Sequence, residues 1–447
     1  MAEAPIKLSE HENLRAAFIG AATWHGSLDE AETILASHPE LAGSDIHIAA
    51  ILGDDEKVKN FLALDPGNAT AISSPYGGDA LVYLCLSKYL RLDKNRTGSF
   101  LKAAEALLEA GADPNTGFWT KGAYPEFETA LYGAAGVAHN AELTRLLLNH
   151  GADPNDGEAV YHSPETWDND AMKLLVETGK LTNESLAMML IRKHDWHDYN
   201  GAKYLLEHHA NPNGERNRGW YPMHHALKRN NSLEMLALLL DNGADPAVVN
   251  DGLTAVARAA REGRSDVLEL FEERGIPVEL QGIDKLIAAC AMGNPESVQA
   301  ITAREPRLVN EIIAMGGQLL AKFTGAGNLP GVKQLLDLGI NVSAPFTEGD
   351  GYFGIPKDSL AIHIAAWRAR HDVVQLLIDR GSPVDMPDNN GQTPLALAIK
   401  ACVDSYWTDM RSPASVAALL KAGASAAGVK LPSGYAEVDE LLEKYRS

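Results

Sequence analysis

The chain is poor in cysteine, short of positive charge, and without a hydrophobic run long enough to cross a membrane. Only three cysteines occur in 447 residues, Cys85, Cys290 and Cys402. They are odd in number, far apart and set in apolar helical runs. A disulfide framework is therefore excluded, and buried free thiols in a reducing compartment are expected. No segment reaches the ~20 apolar residues that a spanning helix requires. The opening stretch, MAEAPIKLSEHENL, lacks the apolar core of a secretory leader, so the cytoplasm is the expected location. Against 60 acidic residues stand 39 basic ones, a net charge of −21. That balance argues against nucleic acid or an anionic membrane as a partner, because either would be repelled.

The motifs of catalysis are missing too. There is no P-loop, no G-x-S-x-G elbow and no C-x-x-C pair. Gly349–Gly354 (GDGYFG) lacks the glycine spacing and the strand-then-helix setting of a dinucleotide loop. His194–Asp198 (HDWHD) offers metal-ligand residue types, but they sit too close in sequence to share one helix face. A solvated or capping loop is the expected reading there, with no metal. Glu126, Glu128, Glu165, Asp168 and Asp170 beside Trp119 and Trp167 could assemble a carboxylate pair for sugar chemistry. An acidic chain supplies such pairs by chance, so neither a catalytic residue nor a cofactor is expected.

What the chain has in abundance is repetition. Thr129–Asn155 reads TALYGAAGVAHNAELTRLLLNHGADPN. Its two apolar sets, Leu131/Ala134/Ala135 and Leu143/Leu146/Leu147/Leu148, each have the spacing of one helical face. Thr129 is a good N-cap, and Gly151 suits the left-handed residue that closes a helix. A unit of about thirty residues cannot bury both faces alone and must stack on copies of itself. The ending LL-x-x-G-A-D-P-N recurs at Leu107–Asn115, Leu147–Asn155, Leu205–Asn213 and Leu239–Pro246, with looser versions at Leu335–Val342, Leu376–Val384 and Leu419–Ser425.

With those endings come openings such as Tyr221-Pro222-Met223-His224-His225-Ala226, Ile362-His363-Ile364-Ala365-Ala366, Ile46-His47-Ile48-Ala49-Ala50 and Thr393-Pro394-Leu395. In register they resemble the T-P-L-H-x-A-A opening of the ankyrin-repeat family, and the resemblance covers nearly the whole chain. It implies an all-α solenoid of about twelve helix–turn–helix repeats with short β-hairpin fingers, a single body over 1–447. Residues 1–45 would form the N-terminal capping repeat and 424–447 the C-terminal cap. Residues 1–12 read as a polar arm. Repeat five reads as broken, since Asp156–Asp170 (DGEAVYHSPETWDND) hardly leaves room for a first helix. Its neighbourhood should then open early.

The resemblance also implies where the work is done. Family members hold partners on a concave face lined by the fingers and the late positions of first helices. Carried over, those positions are Trp24, His25, Trp220, Lys228, Arg229, Arg261, Glu262, Trp367 and Arg368. The fingers add Phe118, Trp119, Tyr124, Phe127, Tyr161, His162, Trp167, Tyr352 and Phe353. Exposed aromatics beside arginine are typical of binding surfaces, although bracing between fingers accounts for any one of them equally well. His47, His224 and His363 match the family histidine that braces adjacent repeats through backbone hydrogen bonds. Nine of the fifteen histidines fall between His139 and His225. The expected function is a non-catalytic scaffold for a protein partner. The alternative is a small-molecule or saccharide binder with a pocket at residues 117–225, where Trp119, His162, Trp167 and Trp220 would converge.

Overall fold

The computed structural model describes residues 10–446. Most of the expected arm at residues 1–12 lies outside them, and its last three residues already belong to the helix Glu10–Ala22. The chain divides into two compact units, residues 1–222 and 223–447. Both are all-α and built from antiparallel helix pairs, as the repeats predict.

In the first unit the pairs run from Glu10–Ala22 with Leu28–Ser37 to Asn183–Asp195 with Tyr199–Glu207. Several first helices are short. Ile46–Ile51 and Ala80–Cys85 have six residues each, all buried. An isolated helix of that length would not form in water, so packing on both sides holds it. Asp45 and Asp79 start these helices by accepting backbone N–H bonds from residues two and three positions on, at 2.8–3.1 Å. Thr129 caps repeat four in the same way, accepting from the Tyr132 N–H at 2.9 Å. There the helix Tyr132–Val137 is π-wound. Second helices end on a left-handed residue, as at Gly151 with φ +98°. His209 takes that place in repeat six with φ +72°, a conformation His tolerates less well than Gly. The endings SHPELAG and ALDPGN of the first two repeats close in 3₁₀ turns, Pro39–Gly43 and Pro66–Thr70.

Repeat five corrects the expectation. It has a first helix, Gly157–His162, as long as those of repeats two and three. Asp156 caps it by accepting from the Ala159 N–H at 2.7 Å. Gly157 opens the helix and Ser163-Pro164 follow its end, so one short helix fits the stretch. The early-opening unit expected there loses its basis.

The second unit runs from Pro222–Lys228, which starts at the boundary, to the closing helix Ala436–Arg446. Between its third and fourth pairs a helix, Arg307–Ala314, takes the place of a finger. Gly263 shows why the stack is tight: a Cβ there would stand 2.6 Å from the Phe323 ring. Asn328 donates to the Gly263 and Ala291 carbonyls at 2.8 and 2.7 Å, tying three repeats through one side chain.

The bracing histidines behave as the resemblance implies. His47 Nε2 meets the Ala71 carbonyl at 2.7 Å, His224 Nε2 the Val248 carbonyl at 2.9 Å, and His363 Nε2 the Met386 carbonyl at 2.7 Å. Each bond reaches a residue 23 or 24 positions ahead, in the following finger.

Candidate functional site

In the first unit the expected finger is an antiparallel hairpin of Gly117–Trp119 and Phe127–Thr129. Its register pairs Phe118 with Glu128 and Trp119 with Phe127. Paired residues share a face of the ribbon, and successive pairs alternate. The alternation sends Phe118 and Glu128 inward and turns Trp119 and Phe127 outward, their rings 5.1 Å apart. Trp119 is 64 % exposed, and Tyr124 at the tip is 89 % exposed.

Phe118 is a core residue. It stacks on Tyr76 at 5.0 Å and meets Trp24 edge-on at 5.7 Å, while the Trp24 indole N–H donates to the Tyr132 hydroxyl at 3.2 Å. Trp24 therefore braces three repeats, and His25 beside it is exposed. Burial and the nearby Lys88 and Arg91 cations lower the His25 pKa.

Glu128 is only 2 % exposed, and its Oε2 meets no donor among the described residues. Burial first, then the carboxylates of Glu158 and Glu126, push its pKa up to about 7. His162 lies between Glu165 (Nδ1, 2.7 Å) and Glu158 (Nε2, 3.4 Å). Burial opposes its charge, but the two carboxylates outweigh that and raise it to about 9. Glu165 is also held by Arg192, whose guanidinium sits 4.2 Å over the Tyr161 ring.

Tyr161 and His162 belong to the first helix of repeat five rather than to a finger, and Trp167 lies in the loop that follows. Trp167 packs edge-on against Trp196 at 5.2 Å and donates its indole N–H to the Trp196 carbonyl at 3.1 Å. Trp220 sits in a two-residue bridge with Glu215. Among the described residues Trp119, His162, Trp167 and Trp220 thus have separate partners and share no ring contact. In the HDWHD stretch, Asp198 caps the next helix and pairs with the fully buried Lys193 at 2.8 Å. Among the described residues no cluster of three or more His, Cys, Asp or Glu could hold a metal ion.

In the second unit, the finger at 344–358 is pinned by bridges Phe346–Ser359 and Asp350–Ile355. The Asp350 carboxylate accepts from the Tyr352 and Phe353 N–H groups at 3.1 and 3.4 Å. Arg229 lies 4.0 Å over the Tyr352 ring, and Arg368 lies 3.6 Å over Phe353. Trp367 donates to the Phe353 carbonyl at 2.7 Å and packs edge-on against Trp407 at 5.2 Å. Five of the expected residues, Arg229, Tyr352, Phe353, Trp367 and Arg368, therefore form one aromatic and cationic cluster. Lys228 and Arg261 are engaged elsewhere, in ion pairs with Asp251 at 2.9 Å and Asp284 at 2.6 Å. Trp407 was not expected here: it comes from an insert forty residues downstream of Trp367, and no sequence signal joins them. Glu128 was expected only as one of several acids that could pair, and the hairpin register singles it out.

Paired helices, histidine braces and left-handed closures define a stacked helix–turn–helix repeat protein. The family model for ankyrin repeats, in three copies, matches residues 187–282, and the single ankyrin repeat matches residues 359–389. Over these two stretches the chain carries ankyrin repeats. Serine/threonine-protein kinase 12 of Arabidopsis thaliana is 39% identical over 84 residues, 19% of this chain and 16% of that protein. A putative E3 ubiquitin-protein ligase of the same plant, XBAT34, is 40% identical over 77 residues, 17% of this chain and 20% of that protein. This chain spans a fifth or less of either relative. Among solved structures, the human ASB11 ankyrin repeat domain is 23% identical with a TM-score of 0.36, covering 48% of this chain and 90% of that one. The Bcl-3 ankyrin repeat domain is 21% identical with a TM-score of 0.24, covering 52% and 96%. Ankyrin repeats are in general protein–protein interaction modules. Among the described residues no helix is long and apolar enough to cross a membrane.

Proposed function

We propose that this chain is a non-catalytic scaffold that holds a protein partner on the face formed by its fingers and first helices, the concave face of the family. One observation carries the reading: Trp119 and Tyr124 stand out on the first finger, 64 % and 89 % exposed. Large aromatic side chains left in water cost solubility and stability, and they are the residues that carry binding energy at interfaces. Three buried free cysteines suit a reducing compartment, so the cytoplasm is the proposed location. The charge of −21 favours a basic or neutral partner over nucleic acid or an anionic lipid surface. The small-molecule or saccharide alternative needed four residues to converge, and their separate contacts give it no support.

The test is side-by-side affinity capture with the natural chain and a Trp119→Ala/Tyr124→Ala variant. The expected result is loss of specific partners from the variant at an unchanged melting midpoint. Equal capture by both would refute the finger as the binding element.

A further inference from the structure

Next to the second finger lies a cavity of about 30 Å³, lined by Glu262, Lys322, Phe346, Asp350, Phe353 and Arg368. A single water occupies roughly 10–15 Å³ on this measure. The cavity therefore has room for one small polar group, not for a nucleotide or a sugar ring. Arg368 is the unusual member. It is 6 % exposed, with its guanidinium 3.6 Å from the Phe353 ring and 5.0 Å from the Trp407 ring. The rings offer its N–H groups no oxygen acceptor. Among the described residues that edge has no hydrogen bond and no ion pair. Arg258 and Arg264 are equally buried, and both are satisfied. Arg258 donates to His224 and the Asn250 carbonyl, and Arg264 donates to Asp266 and the Asn231 carbonyl, at 2.8–2.9 Å. Buried arginine donors are expected to be paired.

The charges around the cavity set the sign of what it accepts. Lys322 lies between Glu262 at 3.3 Å and Asp350 at 3.8 Å. Burial raises the Glu262 pKa against the pull of Lys322. Lys322 is held by both carboxylates of the lining, and among the described residues Arg368 is the buried lining cation that no carboxylate meets. A single carboxylate can pair with it, whereas a phosphate dianion brings a second negative charge toward Asp350. Lys228, 41 % exposed, marks the side open to solvent.

We propose that this cavity receives the carboxylate of one Glu or Asp side chain of a protein partner, gripped by the free N–H fork of Arg368. The planar fork matches a carboxylate bidentately, and stacking on Phe353 fixes its orientation beforehand. The proposal rests on the partner-binding reading above and adds its chemistry. The field of the whole chain favours a basic or neutral partner, and this cavity selects one acidic side chain within it.

The experiment titrates the full chain with N-acetyl-glutamate methylamide, its glutamine counterpart and inorganic phosphate. The indole N–H of Trp367 is the NMR reporter, assigned by its loss in Trp367→Phe. It donates to the Phe353 carbonyl at the cavity wall and survives substitution of Arg368. The expected result is a saturable shift with the glutamate compound, none with the glutamine compound, weaker binding of phosphate, and at least tenfold weaker glutamate binding in Arg368→Lys. No saturable shift, an equal shift with the glutamine compound, phosphate binding as tight as glutamate, or undiminished binding in Arg368→Lys would each overturn the proposal. Should Arg368→Lys lose the other indole signals and so its fold, Lys322→Gln decides. It removes one positive charge from the cavity; binding weakened at least threefold supports the proposal, and unchanged binding overturns it. No partner is needed for this titration. Failure here with finger-dependent capture intact therefore removes the cavity claim alone, and failed capture with glutamate binding intact removes the finger claim alone.

Discussion

Replacing Glu128 by Gln should stabilise the protein above neutral pH and leave it nearly unchanged in mild acid. The hairpin register drives this carboxyl inward opposite Phe118, where it is 2 % exposed with Oε2 unpaired. Burial and neighbouring carboxylates raise its pKa from 4.5 to about 7. The folded state thus holds a proton that the unfolded chain releases at lower pH. Native stability must fall as pH climbs from about 4.5 to 7, because the unfolded state binds fewer protons across that window. At ~1.4 kcal/mol per pKa unit, the full difference is worth about 3 kcal/mol above pH 7. Gln carries no charge to desolvate and escapes the loss. Urea unfolding of both proteins at pH 4 and pH 8 measures it. A gain at pH 8 that disappears at pH 4 is expected for Glu128→Gln. Equal shifts at both pH values, or destabilisation at pH 8, would refute the argument.

Asp198→Ala should cost about 3–5 kcal/mol in denaturant unfolding, since it strands the fully buried Lys193 ammonium and removes a helix cap; adding Lys193→Met should recover most of it, and no recovery would sink the explanation. His162 should titrate near pH 9 by NMR. Its folded pKa lies above the unfolded value, so its stabilisation is complete below about pH 6.5 and lost as pH rises through 9. The stability gap between the natural chain and His162→Gln should shrink over that interval, and a gap that widens would contradict the assignment. Leu147→Asp places a charge at a fully buried position between helices and should lower stability by several kcal/mol; an unchanged melting midpoint would reject the repeat packing.

The sequence by itself determined the repeat. Its period, the Asp and Thr caps, the glycine closures and the TPLH-type histidines are local signals, each read within one turn of the chain. Short-range hydrogen bonds and backbone sterics decide such features, so they survive without knowledge of what lies beside them. Even His209 in a glycine position followed from local conformation alone. The first helix of repeat five did not. Asp156–Asp170 read as too short for a first helix, and stacking on both neighbouring repeats holds Gly157–His162 helical. The working surface was legible as residue types and not as geometry. Trp119 and Phe118 are adjacent in sequence, yet the pleat sends one to solvent and the other into the core. Trp167 joined Trp196 in a neighbouring inter-helix loop because the helix before it set its position. Arg368 became a buried cation beside a cavity only because Phe353, fifteen residues earlier, and Trp407, from a later insert, pack against it. Burial and pairing depend on which repeats touch, and that is decided by contacts tens of residues apart, for which a local pattern carries no record.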